Sequence, residues 1–361
     1  MRFRPLILAF ALVAALVTVV PTNSGPAQAA AADRWGFALV DNPTVPTWTV
    51  LNTTRQWGSW KPGFPGLWAL GGKIAAGRFQ VRFPQVGTSV PGIVHVTPVN
   101  RTGHYCEVVN SGPAGTDQLV VVQCHAPGGT PSDTAFTILW TLSSGIVPVS
   151  QGTHAYVRST AAGGIVQAYN STGGGVGVLP GPPGQYQVTL AGVGGTAGPA
   201  GNLQVTAIST AGAPRRCKFA NWGPSGLDIV AIVTCFNQAG VLTATEFNLS
   251  YHRERSVIGS FAPPKFFGYF SPFGGQTNFN YPIGFGVNTL SGGPVWQLVY
   301  PQLAVTETHA QVVAQGTGPE YCHLTWPWTY VGLDANVSII CFNNAGTVVP
   351  YRFLSTFTSK D

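Results

Sequence analysis

The sequence is poor in charge. Asp and Glu number 12 and Lys and Arg 18 in 361 residues, so charged side chains make up 8% of the chain, against roughly a quarter in typical soluble proteins. Twelve acids scattered over this length leave little material for a calcium loop, because calcium takes six or more oxygens and usually several carboxylates. Gly-x-Ser-x-Gly, His-Glu-x-x-His and a phosphate-cradling glycine loop between strand and helix are all missing, which removes three common routes to hydrolase or nucleotide chemistry. Helical periodicity is absent beyond the first 30 residues, and so is any later apolar run long enough to cross a bilayer. The net charge of +6 becomes +4 once Arg2 and Arg4 are set aside with the N-terminal segment, since no acid precedes Asp33. So small an excess gives no electrostatic footprint for nucleic acid.

Turn formers are abundant. Gly and Pro total 75 (46 and 29), about a fifth of the chain, which suits many tight turns and stays below the range of disordered segments. At the N-terminus Arg2 and Arg4 precede an apolar run over residues 6–20, then Pro21 and Ala27-Gln28-Ala29. That order is a secretory signal peptide over residues 1–29, too short for a membrane span and closed by a small-residue cleavage site. No cysteine lies near the site, which argues against a lipid anchor. The mature chain is therefore expected to be secreted and extracellular, with no transmembrane segment.

One pattern occurs three times. A cysteine is followed by Gly-x-Asp, a run of β-formers into a second cysteine, and an aromatic strand: Cys106, Gly115, Asp117, Cys124 and Phe136; Cys217, Gly226, Asp228, Cys235 and Phe247; Cys322, Gly332, Asp334, Cys341 and Phe353. In every copy the Asp stands 7 residues before the second cysteine and the Phe 12 after it. The chain thus reads as a triplicated β-domain, with copies over 33–142, 150–253 and 264–361 and short linkers at 142–152 and 252–264, so that adjacent domains touch. Six cysteines, two per copy in an exported chain, imply one disulfide within each domain. Metal ligation is the alternative, but His104, His125 and His323 do not occupy matching positions.

Within a copy the side-chain period is two. Phe79, Val81 and Phe83 share a face, as do Tyr186, Val188 and Leu190, and Trp296, Leu298 and Tyr300. Phe136, Ile138 and Trp140 repeat the device, with Phe247, Leu249 and Tyr251, and Phe353, Ser355 and Phe357. A hairpin folded at Gly115 or Gly226 sets each cysteine opposite its partner, and the third copy's extra residue is absorbed as a bulge. By the same alternation Glu107, Lys218 and His323, each next to its first cysteine, should face water. The expected fold is all-β: three tandem β-sandwich domains, Ig-like or jelly-roll, of about seven strands each, with one intradomain disulfide apiece. A six-bladed propeller is the rival and would need half-repeats, which are not found.

Asp117, Asp228 and Asp334 are assigned to the turn, each bonding nearby backbone amides while Gly115, Gly226 and Gly332 supply a positive φ. A unique reaction centre in one copy would centre on His104, Glu107 and His125. Trp222, Trp326 and Trp328 stand in hairpin loops and are the candidate ligand-binding residues, set against the alternative that they fold back over their own cores; Trp57, Trp60 and Trp68 crowd an insertion in the first copy. No cofactor or metal is expected.

Residues 154–160 (HAYVRST), 169–173 (YNSTG), 184–190 (GQYQVTL) and 221–228 (NWGPSGLD) make the second copy similar to a family of secreted tandem-repeat β-proteins of high-GC bacteria. The resemblance spans nearly the whole mature chain and implies no catalytic residues. The first copy departs through its insertion between Trp57 and Phe79, the third through Trp326-Pro327-Trp328. The function expected is a non-catalytic secreted binding or structural protein whose partner is a polysaccharide or a cell-surface protein; the alternative is an exported hydrolase with its active site in one divergent repeat.

Overall fold

Alternating β-branched and aromatic residues punctuated by glycine turns give a chain built almost entirely of strands. The computed structural model describes residues 33–46, 48–195, 200–259, 266–272 and 276–360; the expected signal segment 1–29 and part of the 252–264 linker lie outside them. The first repeat supplies β1 (Arg34–Val40), β2 (Thr49–Val50), β3 (Trp57–Gly58), β4 (Leu70–Ala75), β5 (Arg78–Phe83), β6 (Ile93–Val99), β7 (Tyr105–Ala114), β8 (Asp117–His125) and β9 (Ala135–Leu142). The second supplies β10 (Thr153–Ser159), β11 (Ile165–Asn170), β12 (Val176–Pro180), β13 (Gln185–Leu190), β14 (Asn202–Ile208), β15 (Arg215–Ser225), β16 (Asp228–Asn237) and β17 (Glu246–Arg253). The third supplies β18 (Phe267–Phe270), β19 (Phe279–Tyr281), β20 (Gly284–Phe285), β21 (Thr289–Gly292), β22 (Val295–Tyr300), β23 (Thr308–Gln315), β24 (Tyr321–Leu324), β25 (Thr329–Val331), β26 (Asp334–Phe342) and β27 (Arg352–Ser359). No described helix is long and apolar enough to cross a membrane.

Each repeat divides its strands between two sheets and buries its aromatic faces between them. In the first, Phe79, Val81 and Phe83 of β5 pack with Phe136, Ile138 and Trp140 of β9, and the rings of Phe79 and Phe136 meet edge to face at 5.4 Å. The second core joins Tyr186, Val188 and Leu190 to Phe247, Leu249 and Tyr251; the third joins Leu298 and Tyr300 to Phe353 and Phe357. Burying each such side chain contributes about 1.5–3 kcal/mol.

The cysteines face these cores from the hairpins β7–β8, β15–β16 and β24–β26. Cys106 lies directly opposite Cys124, Cys217 opposite Cys235 and Cys322 opposite Cys341, with Cα atoms 4.0 Å apart in each disulfide. Gly115, Gly226 and Gly332 turn the hairpins at φ of 66°, 63° and 60°. A bulge is not confined to the third copy. Val109 and Ala220 are bulged residues between ladder pairs in the first two, and the third shifts register by two between Leu324 and Thr329, so its extra residue only widens a bulge common to all. The aspartates also work at longer range than expected. Asp117, Asp228 and Asp334 accept from the amides of Gln85, Gly192 and Gln302 at 2.9, 2.9 and 3.1 Å. Those three residues all have positive φ (58°, 70° and 58°) and follow the strand beside the hairpin, so the carboxylate pins a neighbouring turn whose amide would otherwise lack a partner.

Three nine-stranded sheets result, and each is shared by two repeats. The joins are parallel and equivalent: Ile208 of β14 pairs with Val108 of β7, Gln315 of β23 with Phe219 of β15, and Val99 of β6 with Leu324 of β24. First binds second, second binds third, and third binds first, which closes a ring. The cores interlock the same way, since Ile208 enters the first, Val313 and Leu354 the second, and Leu39 and Val99 the third.

Closing the ring buries the second face of the central strands. Along β6 both Val94 and Val96 on one face and His95 and Thr97 on the other are buried, as are Gln204 and Thr206 of β14 and Gln311 and Val313 of β23. Here the repeats meet in a polar seam. His95 Nδ1 bonds Thr206 Oγ1 at 3.2 Å and its Nε2 bonds Ser250 Oγ at 2.8 Å; His309 Nδ1 bonds Thr137 Oγ1 at 2.7 Å; His252 Nε2 bonds Thr356 Oγ1 at 3.1 Å. Every pair of repeats is joined by at least one of these bonds. Glu107, Lys218 and His323, expected at the surface, are buried at 0%, 3% and 0% exposure. Alternation put them on the face opposite the cysteine, and that face is covered by the next repeat.

Candidate functional site

Glu107 and His125 do meet. They lie on β7 and β8, with His125 Nε2 3.2 Å from Glu107 Oε1 and Nδ1 donating to the Gly129 carbonyl at 3.0 Å. The second Glu107 oxygen accepts from the Arg215 amide. Burial pushes the Glu107 carboxyl up, against the opposing pull of His125 and that amide. With exposures of 0% and 1% the pair is sealed from substrate, and His104 bonds Asn100 through its backbone instead of joining it. Its work is to lock the first hairpin to the second repeat.

The loop tryptophans divide. Trp222 is 7% exposed and packs in the second core against Tyr251, ring centroids 6.5 Å apart. Trp328, at 1%, fills the third core, donates its indole N–H to Thr308 Oγ1 at 2.7 Å and lies under the Arg55 guanidinium, 4.7 Å from its ring. Trp326 is 42% exposed and has Arg101 at 5.1 Å. The wide bulge explains the split, because it turns Trp328 inward and Trp326 outward across Pro327. In the first repeat's insertion Trp60 is buried against Phe83, where a side chain at Gly58 would fall 1.8 Å from its ring, while Lys61 Nζ sits 3.0 Å from the Trp68 ring and 5.2 Å from that of Trp57.

An open groove lies elsewhere, at one end of the third sandwich. It encloses about 570 Å³ and is lined by Trp296, Tyr351, Gln315, Arg352, Leu290 and Thr317 among others. Trp296 is half-buried on β22, and its indole N–H has no hydrogen-bond partner among the described residues. Tyr351 is seated on Gly316, whose φ of 142° and missing side chain make room; a Cβ there would stand 2.1 Å from the tyrosine hydroxyl. That hydroxyl accepts from Lys218 Nζ at 2.9 Å. Burial and then Glu320 raise the Tyr351 hydroxyl above its ordinary range, and burial brings Lys218 down to about 8 against the pull of Glu320. Tyr186 holds the place of Trp296 in the second repeat, but its hydroxyl spans Ala161 and Thr245 at 2.8 and 3.0 Å and the cleft there is only about 190 Å³. The period-two pattern marked Trp296 as a core residue; the structure places it half-buried in the wall of a groove.

Comparison of the chain with protein-family models, with curated proteins and with solved structures finds no match. The geometry alone has to carry the functional reading.

Proposed function

We propose that the chain is a secreted, non-catalytic binding protein whose third repeat takes part of a polysaccharide into the groove between Trp296 and Tyr351. The groove carries this reading. Its volume falls within the roughly 300–1,000 Å³ of ligand pockets, and it sets aromatic rings beside an amide, a hydroxyl and a guanidinium, the mixture that stacks on sugar faces and bonds their hydroxyls. Among the described residues its lining holds no carboxylate or imidazole, whereas glycoside hydrolysis asks for two carboxylates across the scissile bond. Three disulfides in a chain with a signal-like N-terminus agree with an oxidising destination.

The test is a glycan array probed with the mature chain, Trp296→Ala and Tyr351→Ala, all checked for intact fold by circular dichroism. Binding to at least one glycan, weakened tenfold or more in both variants, is expected. A blank array, or a hit that neither substitution alters, overturns the proposal.

A further inference from the structure

Two loops at equivalent positions present apolar tips to solvent. β3 pairs with β1 as β19 pairs with β18, the first strand of its own repeat, so the segments that follow β3 and β19 correspond. After β3, residues 62–67 (PGFPGL) are all exposed. At the end of β19 and into β20 the run is 281–286 (YPIGFG). Phe64, Leu67, Tyr281, Ile283 and Phe285 are between 39% and 48% exposed. Neither tip is loose. The amides of Gly63 and Phe64 donate to the Trp60 carbonyl at 3.1 and 2.8 Å, and that of Leu67 to the Phe64 carbonyl at 3.1 Å. The Trp60 indole donates to the Leu67 carbonyl at 3.1 Å, and Lys61 Nζ to that of Pro65 at 3.0 Å. In the other tip Phe279 pairs with Phe285 and Asn280 with Gly284, while the Phe285 ring lies 4.8 Å from that of Phe279 and Tyr281 stacks on Phe267 at 5.4 Å.

Single exposed apolar residues are ordinary, but a contiguous exposed apolar run marks a binding surface. Hydrocarbon offers no hydrogen bonds, so a segment entering it must satisfy its backbone internally, and the inward bonds of both tips meet much of that demand before any partner arrives. Charge agrees. Neither run carries a charged side chain, and the cations behind the first are committed within the molecule, Lys61 to the Trp68 ring and Lys360 to Glu307 at 3.1 Å. A protein partner asks for a polar rim with hydrogen bonds, of which these side chains offer only the Tyr281 hydroxyl. We infer that both tips insert into the surface of a neutral phospholipid bilayer, with Phe64, Leu67, Ile283 and Phe285 among the acyl chains. The half-buried rings of Trp57 and Trp68 behind the first tip then lie near the headgroups, where indoles collect. The joins between repeats are equivalent and close into a ring, so rotation carries one repeat onto the next and the two tips stand at one level about its axis.

Binding by apolar insertion scales with the apolar area buried and needs no anionic lipid. The mature chain should therefore co-float with phosphatidylcholine vesicles at low and high salt alike. Phe64→Asp and Ile283→Asp should each weaken flotation about tenfold or more, and the two together should abolish it. Thermal melts followed by circular dichroism should not change, because both side chains stand outside the cores. No flotation of the wild type, or flotation that neither substitution weakens, overturns the inference. So does flotation confined to phosphatidylglycerol vesicles and lost in high salt, which would mean attraction by charge. Self-association in the analytical ultracentrifuge that Phe64→Asp abolishes, without vesicle binding, also overturns it and would make the tips an interface between copies.

Discussion

Acid should open this protein by charging its seam. His95, His252 and His309 are fully buried between repeats, and burial pushes each down to about 3 from an ordinary 6.5; burial also lowers His323 to about 4 and His154 far below its usual value. Above pH 6.5 these rings are neutral in both folded and unfolded chains, and stability does not depend on them. Below it the unfolded chain takes up protons that the folded chain refuses, so stability falls by about 1.4 kcal/mol per pH unit for each histidine until the folded value is reached. From pH 6.5 to 4.5 the three seam histidines alone remove about 8 kcal/mol, against a typical total of roughly 5–15.

Two carboxylates leave this window clear. Asp133 and Glu320 are partly buried, which pushes them up, but bonds from Lys73 and the Gly77 amide, and from the Glu320 amide, Tyr351 and Lys218, hold them below the ordinary range, so what they contribute is lost only at lower pH. Glu107, raised by burial, gains stability on acidification and opposes the trend by one group. Urea unfolding of the disulfide-intact chain at half-unit steps from pH 7.5 to 4.5 gives the slope directly. About three or more protons taken up on unfolding near pH 5.5 are expected, and His309→Gln should reduce the slope by about one. A slope below one proton would refute the account of the seam.

Two further outcomes follow from the placement of particular side chains. Trp328→Ala should cost about 3–5 kcal/mol by opening the third core, while Trp326→Ala, two residues away, should change stability by less than about 0.5 kcal/mol; paired denaturant curves compare them, and equal losses would mean that the bulge does not turn the two rings apart. Asp117→Ala strips the Gln85 amide and Arg82 of their shared partner and should destabilise by about 1–3 kcal/mol, whereas Asp117→Asn keeps the acceptor for the amide and should recover part of that loss. The same denaturant midpoints measure both.

Much of the fold was legible because it is local. Cysteines 18 residues apart with glycine near the middle can meet across a hairpin, and Phe79, Val81 and Phe83 share a face whatever surrounds them, because successive strand residues point to opposite sides. The candidate site was far less legible. Trp222 and Trp326 look alike as loop tryptophans, yet one is sealed in a core and the other is open to solvent, a difference set by a bulge and by which neighbour lies above it. Trp296 read as core, and nothing in its own strand says that it borders a groove.

By itself the sequence determined the principal strands, their buried aromatic faces, the cysteine partners and the threefold repetition, since each depends on spacing along one chain; the short extra strands that raise about seven per copy to nine, eight and ten were not legible. Only the tertiary structure decided that the sheets run from repeat to repeat and close into a ring. Alternation separates two faces but does not say what covers the second, so His95, Glu107 and Lys218 carry the pattern of solvent-facing residues and yet sit where another repeat has displaced the water.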